Sequence, residues 1–262
     1  MRSIGLINWK GGVGKTTISI NLAYALAQHF GHLKILFIDV DKQGNASSWF
    51  DADFSKPTLT DILVDGMRAE DVIQHTRYEN IDLIPGNSEL LDASLSVLKE
   101  QTRRQDNILK QALEPVKNQY DLCIFDYPPD SNIAVLNALE CTDDIIAVAD
   151  PNPFALQGIR KLQQDIDNYN KVLNLGFKIR GVVINRRTTE STEAFEELKK
   201  DYYMFPFIRE STNTKKWLDR VVREHKSIYE IAPNTGFARD LKRFMNKLME
   251  VIECVMTGKS YL

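Results

Sequence analysis

The run Lys10-Gly11-Gly12-Val13-Gly14-Lys15-Thr16-Thr17 sets two lysines and two threonines in register with three glycines. Glycines at this spacing let successive backbone N–H groups close around an anion, and a helix opening at the end of the run adds the positive end of its dipole. Lys15 is placed to lie along the β- and γ-phosphates of a nucleotide, and Thr16 to offer its hydroxyl to Mg²⁺. A loop that only turned the chain would need the glycines but not the lysines and threonines around them. The general phosphate-loop pattern begins with glycine where this chain has Trp9, so the match is to a variant form with Lys10 just ahead of its glycines.

Two further segments bring acids to the same kind of place. Residues 34–39 and 120–126 are apolar, β-rich runs that end in Asp39 and Asp126, and Asp41 follows just beyond the first. Open α/β sheets bind ligands at the carboxyl ends of their strands. There, in a phosphate-loop enzyme, one acid holds Mg²⁺ directly or through water and a second orients the attacking water. Asp126 is the candidate for the metal shell, Asp39 for its outer shell and Asp41 for the water.

On these residues the chain resembles the ParA/Soj/MinD group of deviant Walker A ATPases. The likeness runs through nearly the whole length. It takes in Asn21-Leu22-Ala23, Asp39-Val40-Asp41-Lys42-Gln43-Gly44-Asn45, Phe125-Asp126-Tyr127-Pro128-Pro129, the proline loop at 151–158, Val183-Ile184-Asn185-Arg186 and Ile208-Arg209. The resemblance implies ATP and Mg²⁺ as cofactors, with Lys10, Gly11, Gly12, Val13, Gly14, Lys15, Thr16 and Thr17 around the phosphates. It implies that Lys10 reaches across a homodimer interface to the partner's nucleotide, so that ATP joins two subunits in a sandwich and Lys10, Lys15 and Asp41 act in hydrolysis. It also implies that Asn185 reads the adenine edge, its amide both donating and accepting, while the loop of Pro206, Ile208 and Arg209 closes over the base. Two departures stand out. Lys42 replaces a proline, which is expected to loosen the switch and repoise the water, and Tyr127 replaces a small residue and is expected to shift the switch. Neither removes a ligand, so slow, partner-stimulated hydrolysis is expected.

Charge separates the functional classes. The chain carries a net −3, yet residues 178–247 hold sixteen Lys and Arg against ten Asp and Glu. Lys215, Lys216, Arg220 and Arg223 are spaced to share a helix face, which Arg209, Lys242, Arg243 and Lys247 could extend. In partition ATPases of the resembled group, late basic residues bind DNA without sequence preference, a contact that needs only placed cations and weakens with salt. The leading expectation is a partition ATPase of plasmid or chromosome with a ParB-type centromere-binding partner, cytoplasmic and nucleoid-associated, with no stable membrane association. One alternative is a MinD-like membrane positioner using the stripe Leu241, Phe244, Met245, Leu248, Met249, Ile252 and Val255, although such stripes more often pack on a sheet. Another is a ParA-like positioner of a protein cargo.

At 262 residues, 43% hydrophobic and 26% charged, the chain suits one large domain over its whole length. No helix-turn-helix domain is expected ahead of a motif that opens at residue 10. No signal peptide or transmembrane-length apolar run is seen, and Cys123, Cys141 and Cys254 form no CxxC pair. Strands are expected at 3–8, 34–39, 81–85, 120–126, 144–149, 179–185 and 204–208. Helical stretches are expected at 17–30, 59–75, 89–117, 154–173, 190–202, 212–225 and 237–256. Strands separated by helical lengths predict an α/β fold: a doubly wound, mostly parallel sheet flanked by helices, as in P-loop NTPases.

Overall fold

Along the central strands, residues of both parities are apolar, a pattern that a strand satisfies only between two layers of helices. The computed structural model, which describes residues 1–99, 104–151, 154–187, 193–210 and 213–257, has that arrangement. Strands β1 (Arg2–Ile7), β2 (Ile35–Asp39), β3 (Gln74–His75), β4 (Ile81–Ile84), β5 (Leu122–Asp126), β6 (Asp144–Ala149) and β7 (Ile179–Ile184) form one sheet in the order β3-β4-β2-β5-β1-β6-β7. Every pairing is parallel except β3 with β4. Ile35 and Phe37 face one layer while Leu36 and Ile38 face the other.

The first layer holds α1 (Lys15–His29), α2 (Asn45–Trp49), α10 (Thr214–Arg223), α11 (Ile228–Ile231) and α12 (Gly236–Thr257). The second holds α3 (Leu59–Asp65), α4 (Ala69–Val72), α5 (Leu90–Lys99), α6 (Ile108–Leu113), α7 (Ile133–Glu140), α8 (Ala155–Leu173) and α9 (Glu193–Asp201). In register, Leu6 and Asp39 both stand opposite Asp126. The phosphate loop and both strand-end acids therefore meet at one edge of the sheet.

The structure departs from the sequence reading at several short elements. The stretch 59–75 is two helices and a strand: Gly66, at φ 69°, stops α3 in a left-handed turn, and β3 then pairs antiparallel with β4. The stretch 89–117 is α5, α6 and a 3-10 turn, with residues 100–103 outside the described set. Residues 204–208 do run beside β7, bonding Val182 and Ile184, but form only isolated bridges. Pro206 has no N–H with which to continue a ladder. Neither α7 nor α11 was expected, although Asn132 caps α7 by accepting from Val135 N at 3.0 Å.

The expected starts of two helices, at 190 and 212, and part of the 151–158 loop lie outside the described residues. So do residues 258–262 and the side chains of Cys254 and Val255. On α12, Leu241, Phe244, Met245, Leu248 and Ile252 are buried against the sheet, so that stripe is core and not an exposed membrane-facing surface. Among the described residues no helix is long and apolar enough to cross a membrane.

Candidate nucleotide-binding site

The loop between β1 and α1 is held at both ends. Asn8 Nδ2 donates to Val148 O at 2.7 Å, and Asn8 Oδ1 accepts from Lys10 N at 2.8 Å. Trp9, standing where the general motif has glycine, donates from Nε1 to Asp165 Oδ2 on α8 at 3.0 Å. Gly12 and Gly14 have φ of 74° and 98°, the left-handed region that disfavours a side chain. At Gly14 a Cβ would also lie 2.3 Å from Asn185 Nδ2. No side chain caps α1, so its first-turn N–H groups are left to the loop and to an anion.

Lys15 is 6% exposed, and its ammonium donates to the carbonyls of Asn8 (3.0 Å) and Lys10 (3.4 Å). Burial lowers its pKa, and the nearby carboxylates of Asp126, Asp41 and Asp130 oppose that. A phosphate would give this desolvated charge a strong acceptor that the loop carbonyls only partly replace. Asp126 is fully buried, and Ser19 Oγ donates to its Oδ1 at 3.0 Å. Its Oδ2 is buried with no hydrogen-bond partner among the described residues. Burial first, and the Asp39 carboxylate next, push the Asp126 pKa up, while the Thr16 and Ser19 hydroxyls and Lys15 hold it down. A buried carboxylate oxygen without a donor, with the Thr16 hydroxyl facing the same group, is the donor set of a hard divalent cation.

Asp39 is also raised by burial, but its oxygens are taken. Oδ2 accepts from Ser47 N (2.8 Å) and Ser47 Oγ (2.7 Å), and Oδ1 accepts from Asp41 N (3.1 Å). The observed work of Asp39 is thus to tie the Asp41 loop to α2. Asp41, 8% exposed, closes its own turn through Oδ1, which accepts from Gln43 N at 2.9 Å. Lys42, expected to loosen this segment and repoise the water, pairs with Asp130 at 3.0 Å.

Tyr127 does not reach the switch. Its ring is buried over Gly5, where a Cβ would come within 2.4 Å of Cε2, and its hydroxyl meets Thr142 Oγ1 at 2.7 Å. Tyr127→Phe is expected to lower stability by about 1 kcal/mol in denaturant unfolding. Turnover should be unchanged; a slowed enzyme of normal stability would return Tyr127 to the switch.

Other expected residues are held in specific ways. Lys10 Nζ pairs with Asp150 of its own chain at 3.0 Å and remains 47% exposed at the side chain. Asn185 is buried and donates from Nδ2 to Val13 O at 2.8 Å, so part of its amide already supports the phosphate loop. Ile208 is a core residue bonded to β7. Arg209 donates through Nε (2.6 Å) and Nη2 (2.9 Å) to the buried carboxylate of Asp240, which Arg243 also pairs. Arg209 pins the 204–209 segment to α12, whereas Arg243 pairs with Asp240 inside that helix; both charges are engaged, which corrects their expected place on an open cationic surface. Lys247 pairs with Glu250 at 2.8 Å. Lys215, Lys216, Arg220 and Arg223, with Asp219, do line one shallow groove along α10. Arg220 within it also bonds Glu224 at 2.6 Å.

Several working residues escaped the sequence reading. Ser19 lies one turn after Thr16 and could have been found by helical spacing. Ser47, Asp240 and Asp165 carry no local signal, because their partners are 8, 31 and 156 residues away.

A glycine loop closing on a buried lysine, with a strand-end acid opposite, on the carboxyl edge of a parallel sheet, defines a P-loop nucleotide-binding domain. The AAA domain family model matches residues 1–179. The sporulation initiation inhibitor protein Soj of Bacillus subtilis is 36% identical over 202 residues, covering 75% of this chain and 78% of Soj. The chromosome partitioning protein ParA of Caulobacter vibrioides is 32% identical over 206 residues, 76% of either chain. The chain therefore belongs to the ParA/Soj-type family of P-loop ATPases. Among solved structures, the ATP complex of a Cyanothece McdA variant superposes with a TM-score of 0.82 at 22% identity, over 97% of this chain and 96% of the other. A putative plasmid partition protein of Borrelia burgdorferi bound to AMPPNP gives 0.78 at 24%, over 95% and 98%. These two likenesses concern the fold.

Proposed function

We propose that the chain is a partition ATPase that binds ATP with Mg²⁺ in the loop of residues 10–17, closes a homodimer through Lys10 and then binds DNA without sequence preference. The buried Oδ2 of Asp126, without a donor among the described residues and close to Lys15 and Thr16, carries the reading, since an acid of that kind suits a phosphate-bound metal. Thr16 and Asp126 would hold Mg²⁺, which would neutralise charge on the β- and γ-phosphates. Lys15 would stabilise the charge that grows on the transferred phosphoryl group, and Asp41 would orient the attacking water. Lys10, held among the described residues by a partly exposed Asp150, is a charge that a partner's phosphate could take over, since pairs of that kind are weak. Similarity to the chromosome partitioning protein of Caulobacter vibrioides supports the cellular role, and a ParB-type partner would stimulate hydrolysis.

The DNA surface is narrower than charge counting suggested. It is centred on Lys215, Lys216, Arg220 and Arg223, with Lys242 on α12 and without Arg209 and Arg243. Binding to random-sequence duplex DNA, titrated with a non-hydrolysable ATP analogue, with ADP and without nucleotide, tests the proposal. ATP-dependent binding with a log–log salt slope of roughly −4.5 to −9 is expected for a dimer in which half to all of these cations meet phosphates, at about −0.9 per contact. Binding that ignores nucleotide or salt would overturn the DNA assignment.

A further inference from the structure

The Asp41 loop and the basic helix α10 are joined by polar contacts at either end of the short helix α2. The Asp39 carboxylate holds Asp41 N through one oxygen and Ser47 through the other, so the loop and the start of α2 share one anchor. Helix α2 is only five residues long, and its last residue, Trp49, is 3% exposed. Trp49 Nε1 donates to Val221 O, 172 residues away, at 2.8 Å. Val221 lies in the last turn of α10, where carbonyls run out of intrahelical donors. Helix α2, which follows the Asp41 loop, thus supplies a C-terminal cap to the helix that carries Lys215, Lys216, Arg220 and Arg223.

A second clasp lies beside the first. Asp51, two residues past Trp49, and His225, two past the end of α10, both hold left-handed backbone, at φ 59° and 50°. Non-glycine residues keep that conformation only where their surroundings enforce it. Here each faces the other: His225 Nδ1 lies 2.6 Å from Asp51 Oδ1, and Asp51 Oδ2 accepts from Arg77 Nη1 at 2.7 Å. The Arg77 guanidinium in turn lies 5.2 Å from the Trp49 ring centre. The indole is fixed from several sides, so a shift of α2 cannot be absorbed by a change of its rotamer alone.

We propose that Trp49 is a positioning residue: through its indole N–H it passes the state of the Asp41 loop to α10 and sets the placement of that helix's cations. The consequence for DNA affinity rests on the function proposed above, whereas the coupling to α10 does not. Hydrogen–deuterium exchange on the full chain separates the two. With Mg²⁺ and a non-hydrolysable ATP analogue against ADP, exchange over residues 214–225 is expected to differ by at least about threefold in the native protein. In Trp49→Phe, which keeps the ring and loses the donor, that difference should vanish while the protection of residues 10–30 by nucleotide persists. In parallel, the ATP-induced gain in DNA affinity should fall by about tenfold, the size of a typical coupling between sites. His225→Gly, which accepts the backbone without strain and removes the imidazole contact with Asp51, should blunt the same difference and covers the case in which the tryptophan variant does not fold.

An α10 that ignores nucleotide in the native protein, or whose response survives intact in the folded variants, would overturn the coupling. A native α10 that responds, losing its response in the variants while no DNA is bound in any state, would support the coupling and overturn the DNA reading.

Discussion

A Lys15→Ala protein is expected to bind ATP at least about a hundredfold more weakly, in line with the 2–5 kcal/mol lost when one partner of a desolvated, hydrogen-bonded charge pair is truncated. The expectation follows from where the ammonium sits. It is 6% exposed, lies among carboxylates and, among the described residues, donates to two main-chain carbonyls, so burial already weighs on its charged form. A nucleotide relieves that cost by providing anionic oxygens, and alanine cannot. The carbonyls of Asn8 and Lys10 left behind can recruit water at the open loop, so a cooperative thermal transition should remain. Titration calorimetry with Mg²⁺ and a non-hydrolysable ATP analogue reads the loss; an affinity within threefold of the native value would refute the phosphate-loop assignment of Lys15.

Asp41 should show the opposite division between binding and turnover. Asp41→Ala is expected to keep ATP affinity within about threefold while lowering the rate of phosphate release by about a hundredfold or more, the range for loss of a positioned acid–base group. Alanine also removes the acceptor for Gln43 N, so a loosened turn could mimic a lost catalyst. Asp41→Asn separates the two, because the amide oxygen preserves the turn and the charge is gone. If the asparagine protein turns over normally and only the alanine protein is slow, Asp41 shapes the loop and another group orients the water.

The sequence exposed those parts of the site whose residues are neighbours in the chain. Lys10 to Thr17 form one contiguous cradle, and Asp39 and Asp126 end strands whose apolar runs are visible without a structure. The long strands were legible because burial on both faces leaves an uninterrupted apolar run, and most of the long helices because one buried face recurs at helical spacing. The two-residue strand β3 and the four-residue helix α11 are too short for any periodicity, and tertiary contacts decide them. Arg209 was misplaced because a basic residue on a surface segment reads as free until Asp240, on a helix 31 residues later, is seen beneath it. Asn185 was legible as a strand-end amide but not as a prop for Val13, since nothing local records a partner 172 residues away.

The central strands β1, β2 and β5 are clamped by parallel neighbours and by helices on both faces, and nearly all their residues are inaccessible to water. In mechanical terms they are the stiff member of the molecule, and a close-packed interior of this kind does not deform gradually. Asp39 and Asp126, fixed at the strand ends, serve as a stationary reference against which the phosphate loop on one side and residues 40–44 on the other can be displaced. A displacement that a nucleotide drives at this edge is therefore expected in the compliant parts seated on the sheet and not within its strands.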